Sequence, residues 1–183
     1  MRGLLAALVV AAIVPQAAGA ARVEPRDLTL FEVDAPAGYL FDQGNSAGLS
    51  RAALAASQLD EARKLVREGF MGMYVARYMN TAPPRWRFVT SGAYVFRRTA
   101  GARSTLVSQF RSPAGGGFGP ARRIRLGHEG WVRTSSASDT GTIVFWRHGR
   151  VLAFVVCSHM TRHRALAEEL ARKQESRMAS RLG

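Results

Sequence analysis

The sequence predicts an α+β fold, an antiparallel sheet of about six strands flanked by three helices. Three observations carry it. Residues 142–146 and 151–156 are short apolar runs either side of His148-Gly149, which reads as a two-residue hairpin turn. Ala55, Leu59, Ala62 and Val66 recur at helical spacing, as do Leu166, Ala167, Leu170, Ala171 and Met178 near the end of the chain. The element order is roughly ββ-α-ββ-α-ββββ-α, with two of the strands short, and it packs helices on an antiparallel sheet.

Taken in order, residues 27–33 read as a first strand and 38–41 as a short second one. Residues 44–48 form a loop. The first helix begins at Ser50 or Ser57 and stops at Gly69, the residue type expected just past a helix end. Residues 70–79 form a strand with Phe70, Tyr74 and Tyr78 on one side and Met71, Met73, Val75 and Met79 on the other. Pro83-Pro84 ends it, because proline cannot donate to a ladder.

Residues 86–96 are the next strand, and Thr99 caps a helix carrying Ala102, Leu106 and Phe110 on one face. A glycine-rich loop at 112–120 leads to a strand at 121–126. A short strand at 131–134 follows, closed by residues 135–139. The two hairpin strands are apolar on both faces, so they belong at the centre of the sheet, covered on two sides. The last helix spans 162–181.

The first twenty residues carry an address. Arg2 precedes a short apolar run at 4–14, Pro15 breaks it, and Ala18-Gly19-Ala20 is the small-x-small pattern cut by a signal peptidase. The run is shorter than the roughly 20 residues a membrane span needs. We therefore expect a signal peptide at 1–20 and one α+β domain at 21–183, secreted or held in the periplasm or cell envelope. Retention of the run as an anchor is the alternative. No cysteine lies near the cut, so a lipid-modified N-terminal cysteine is not expected.

Composition narrows the class. Hydrophobic residues make up 47% and charged residues 21%, which suits a packed core and not a disordered secreted tail. The net charge is +13, one unit less once Arg2 is removed, and Lys64 and Lys173 are the only lysines. A cationic exported protein is drawn to acidic polymers and anionic head groups in a salt-dependent way. Cys157 is the single cysteine, so no internal disulfide supports the fold.

Several segments together resemble a known group. Ala93-Tyr94-Val95-Phe96 enters the helix at Thr99-Ala100-Gly101-Ala102-Arg103. Leu126-Gly127-His128-Glu129-Gly130-Trp131 follows, then Val144-Phe145-Trp146-Arg147-His148-Gly149-Arg150-Val151, then Leu170-Ala171-Arg172-Lys173-Gln174. Over roughly residues 59–177 this layout is similar to the PsbP/Mog1-like fold of small exported bacterial domains. The resemblance implies a non-enzymatic accessory or binding domain and supplies no catalytic residue.

Candidate binding residues are basic. Arg147 and Arg150, opposed across the hairpin turn, would form a fingertip with His148 whose like charges an anionic partner relieves. Arg122, Arg123 and Arg125 form a second cluster. On a strand, Arg123 and Arg125 share one face, and positive charge there also protects an edge from aggregation. Nucleic acid fits poorly, because Phe145, Trp146 and Phe154 read as core and not as stacking partners for the arginines. The expected partner is an envelope protein or an anionic polymer or lipid surface.

Two alternatives compete. Cys157, His159 and His163 put three metal-ligand types within seven residues, although the spacing matches no standard zinc signature. The basic edge of the last helix at Lys173, Arg177 and Arg181 offers a lipid-surface contact. Enzyme signatures are missing: no nucleophile elbow, His-Glu-x-x-His or Walker sequence occurs, and the glycine loop at 115–120 follows a helix, the wrong order for a phosphate cradle. Ser135, His128 and Asp139 form a triad by composition only. No catalytic residue and no cofactor is expected.

Overall fold

The computed structural model describes residues 23–183 except 58, 84–85, 112–117, 136–140 and 161. The leader expected at 1–20 and much of the loops expected at 112–120 and 135–139 lie outside the described residues. The elements are β1 (Leu40–Phe41), β2 (Ala47–Ser50), α1 (Arg51–Ala55), α2 (Asp60–Arg67), β3 (Phe70–Asn80), β4 (Arg87–Phe96), α3 (Thr99–Arg111), β5 (Arg122–Ile124), β6 (Glu129–Thr134), β7 (Thr142–His148), β8 (Val151–Ser158) and α4 (His163–Leu182). The α+β fold and the PsbP-like layout are as expected. The sheet is larger, however, with eight strands, and four α-helices stand among the described residues in place of three.

All strand pairs are antiparallel, in the order β1-β3-β4-β8-β7-β6-β5, with β2 also on the outer edge of β3. The hairpin strands β7 and β8 are therefore interior, as their two apolar faces required. α4 packs on one face with Trp146, Val144, Ala153 and Val155 beneath it. On the other face α2 and α3 cover Phe70, Phe96 and Leu152.

The first correction concerns residues 27–33. They form no strand; two 3-10 turns, Pro25–Leu28 and Glu32–Asp34, flank a buried Leu28-Thr29-Leu30. Leu28 and Leu30 are buried, but side chains take the place of a neighbouring strand as hydrogen-bond partners. Gln174 Nε2 donates to the Leu28 carbonyl at 2.9 Å and Tyr78 Oη to the Leu30 carbonyl at 2.7 Å. The Leu30 amide donates to Ser91 Oγ at 2.9 Å. Every buried backbone group must find a partner, and a fully buried glutamine supplies one here.

The helix expected from residue 50 or 57 to 69 is two helices. Ser50 Oγ caps α1 by accepting from the Ala53 amide at 3.2 Å, and Ser57 Oγ accepts from the Leu59 amide just before α2. The break disperses the stripe: Ala62 is buried, whereas Leu59 is 66% exposed. Gly69 takes φ +84 past α2, the left-handed conformation that glycine adopts without strain. A register shift between Phe70 and Gly72 separates Phe70, which joins the α2/α3 face, from Tyr74 and Tyr78, which lie on the α4 side of the sheet, against Arg26 and Leu30. One extra residue inverts the inside-outside order, so the single face expected for Phe70, Tyr74 and Tyr78 is divided.

The hairpin turn also shifts by one residue. His148 pairs with Val151, so Gly149 and Arg150 are the central residues, and Arg147 lies opposite Leu152. Gly149 has φ +52 and lacks the Cβ that makes this conformation costly. Glycine in the first turn position spares His148 a left-handed conformation.

Candidate functional site

The two faces of the sheet are covered unequally. The three aromatic side chains Trp131, Phe145 and Phe154 are paired laterally on adjacent strands of the α2/α3 face, with Gly92 next in the row. Phe154 lies over Gly92, where a Cβ would come within 2.1 Å of the ring, so the glycine makes the notch that seats it. The centroids of Phe145 and Phe154 are 5.7 Å apart and tilted by 45°; those of Tyr94 and Phe154 are 6.0 Å apart and tilted by 46°. Arg123 sits over Trp131 at 5.9 Å and closes the row at the β5 edge.

Between this floor and the helices runs a groove of about 600 Å³. Tyr94, Phe145, Leu152, Phe154 and Val156 form its floor, α2 contributes Asp60, Glu61, Lys64, Leu65 and Arg67, and α3 contributes Thr105, Ser108 and Gln109. Tyr94, Phe145, Phe154 and Val156 are all half-buried. Gly101 lets α3 approach closely, since a Cβ there would meet the Glu68 carbonyl oxygen at 1.9 Å. Burial pushes the Tyr94 phenol above its usual pKa, so it is neutral at physiological pH. Thr105 is 4% exposed, and its Oγ1 has no hydrogen-bond partner among the described residues. Such a group is costly unless a ligand supplies the missing bond.

The expected basic fingertip is not assembled as the sequence suggested. Arg147 and Arg150 are not opposed, because the turn is Gly149-Arg150. Arg147 Nη1 donates to the Gly149 carbonyl at 3.0 Å, and Arg147 lies across from Glu129. His148 points to the other face, where its Nδ1 is 2.8 Å from Glu175 Oε1; Trp146 Nε1 donates to Glu175 Oε2 at 2.6 Å. Only Arg150 remains exposed at the tip. In the second cluster β5 is an edge strand shorter than the one expected at 121–126; Arg122, Arg123 and Arg125 are exposed, and Arg125 lies just past the strand end.

Cys157, His159 and His163 are dispersed among different tasks. Cys157 is fully buried under α4, and burial pushes its thiol from 9.0 up to about 12, which disfavours the thiolate that a metal requires. His159 packs edge-on to Phe88 at 6.1 Å, while His163 Nδ1 lies 2.8 Å from Thr142 Oγ1. Among the described residues no group of three or more His, Cys, Asp or Glu side chains is placed to hold a metal.

On the last helix, Arg177 is committed inward, to Asp34 at 2.6 Å, the Thr29 carbonyl at 2.9 Å and the Phe31 ring at 3.9 Å. Lys173 pairs with Glu169 at 3.0 Å, leaving Arg181 exposed. No helix among the described residues is long and apolar enough to cross a membrane.

Sequence reasoning missed the groove because it assigned Phe145 and Phe154 to the core. The available signal was Gly92 in the middle of an apolar strand, which marks a close approach by another group. No family model and no curated protein matches the chain. Among solved structures, the chain is similar to the extracellular domain of PknH from Mycobacterium tuberculosis, with a TM-score of 0.61 and 10% identity, covering 88% of this chain and 100% of that one. That likeness shows the fold alone: the two chains share one α+β architecture.

Proposed function

We propose that this chain is an exported, non-catalytic binding domain that takes a small apolar or amphipathic ligand in the groove between α2, α3 and the sheet. The observation that supports it most is the half-covered row of Tyr94, Phe154 and Phe145. A sheet face this apolar is normally sealed by a helix, and a concave apolar floor with a few polar groups at its rim is the usual form of a ligand site. Its volume falls within the range of roughly 300–1,000 Å³ typical of such sites.

Export is supported by the leader-like pattern at 1–20 and by the fold shared with an extracellular domain. The groove's described lining holds neither histidine nor cysteine and no nucleophile paired with a base, which favours binding over chemistry. In this reading the exposed Arg122, Arg123, Arg125 and Arg150 keep the surface cationic and bring an anionic envelope component or partner close.

The test is titration of the full chain with the neutral apolar fluorophore N-phenyl-1-naphthylamine. Saturable binding at one site, weakened by about tenfold or more in Phe145→Ala, is expected. Non-saturable binding, or equal affinity in the variant, would overturn the proposal.

A further inference from the structure

We infer that the groove is built for a single-chain carboxylate amphipath, a fatty-acid-like molecule with its tail on the aromatic floor and its carboxylate at Lys64. The inference rests on the groove reading above and specifies its ligand. Two features of the floor select the tail. Phe145, Phe154 and Tyr94 are tilted by 45° and 46° to one another, so the surface is corrugated and offers no flat platform for a sugar ring or a base. A flexible chain follows such a surface. With Leu152 and Val156 completing the floor, a polyhydroxylated ligand would lose its water without gaining partners there.

The head-group end is set by charge. Lys64 lines the groove and also a shallower cleft beside it, shared with Thr99, Ala100, Arg103, Ser104 and Ser108. Among the described residues two cations and no carboxylate line that cleft, and Glu68 beside it accepts from Ser104 Oγ at 2.7 Å. The groove's own acids, Asp60 and Glu61, sit one helical turn before Lys64, and Asp60 is paired with Arg63 at 3.7 Å. Arg103 is drawn toward Glu129 at only 3.8 Å and is well exposed, so it remains available to an incoming anion. Lys64 has no carboxylate within ion-pair distance among the described residues, and it stands where the apolar floor meets this cationic cleft. An anion bound there leaves the tail pointing along Tyr94, Phe154 and Phe145.

The experiment measures displacement of N-phenyl-1-naphthylamine by oleate and by oleyl alcohol, at low and high salt, from the unaltered chain, Lys64→Glu and the charge-matched surface control Arg181→Glu. Oleate is expected to compete at least about tenfold better than oleyl alcohol at low salt, with the advantage lost in Lys64→Glu and in high salt and kept in Arg181→Glu. Equal competition by acid and alcohol, with no effect of Lys64→Glu, would overturn the carboxylate assignment while leaving the groove as an apolar site. Displacement by lysophosphatidate but not by oleate would overturn it in favour of a phosphate head. Failure of the fluorophore itself to bind would remove the groove reading and this inference together.

Discussion

The α4 face and the α2/α3 face of the same sheet are built to opposite standards. Under α4 the packing is closed. Trp146, Val155, Cys157, Leu170 and Met178 are buried, and the polar groups among them are joined through Gln174, Ser91, Tyr78 and Arg177 to the chain at residues 28–34. Under α2 and α3 the helices leave Tyr94, Phe145 and Phe154 half-covered, and Thr105 Oγ1 has no hydrogen-bond partner among the described residues. The first face carries the buried polar network, and the proposed ligand groove lies on the second. The cover differs in continuity: α4 runs unbroken for 20 residues across β7 and β8, whereas the other face is covered by two separate helices, α2 of 8 residues and α3 of 13.

If that division is right, the closed face resists chemistry most strongly. With the Cys157 thiol raised to about 12 from 9.0, its thiolate population in the folded chain at pH 8 falls by roughly a thousandfold. Labelling by a thiol reagent should therefore be slow until denaturant is added; rapid labelling of the folded chain would show that α4 opens readily. The same shift sets a pH effect. The folded thiol stays neutral while the unfolded one ionises, so this contribution is complete below pH 9 and is lost as pH rises from 9 toward 12.

Gln174→Leu should break the closed face next. Its amide bonds the carbonyls of Leu28 and Gly92 and accepts from Ser91 Oγ, so removal leaves three buried groups without that partner. A loss of about 3 kcal/mol in urea unfolding is expected, and an unchanged midpoint would mean that the segment at 28–34 is not anchored there.

Phe145→Ala should cost only about 1–2 kcal/mol, less than the roughly 3–5 usual for a fully buried ring, because this side chain is already half-open. A larger loss would make the open face part of the core. The smallest effect has the opposite sign: Thr105→Val removes a buried hydroxyl that has no partner among the described residues while keeping its shape, and should raise stability by up to about 1 kcal/mol. Destabilisation would reveal a partner for that hydroxyl in solution.

The legibility of these two faces from sequence differed for the same reasons. Leu166, Ala167, Leu170, Ala171 and Met178 were readable as the inner arc of α4 because periodicity reports burial on a helix whatever lies opposite. Gln174, equally buried, was invisible to a count of apolar residues, since its burial depends on carbonyls 82 and 146 positions away. Phe145 and Phe154 were readable as inward-facing but not as half-covered, because coverage depends on where α3 ends over the sheet. The fingertip failed over a single residue: sequence located a turn near Gly149, and only the β7–β8 register decided that Arg150 completes it.

What the sequence determined by itself was therefore local: the strands and helices with strong periodicity, the interior place of β7 and β8, the positive charge, and a leader-like start. The tertiary structure decided what depends on distant groups. It turned residues 27–33 from a strand into a strap held by side chains, used one extra residue in β3 to divide its aromatics between two faces, and separated Cys157, His159 and His163. It also left one apolar face half-open. Local pattern records which side of an element avoids water; it does not record what, if anything, arrives to cover that side.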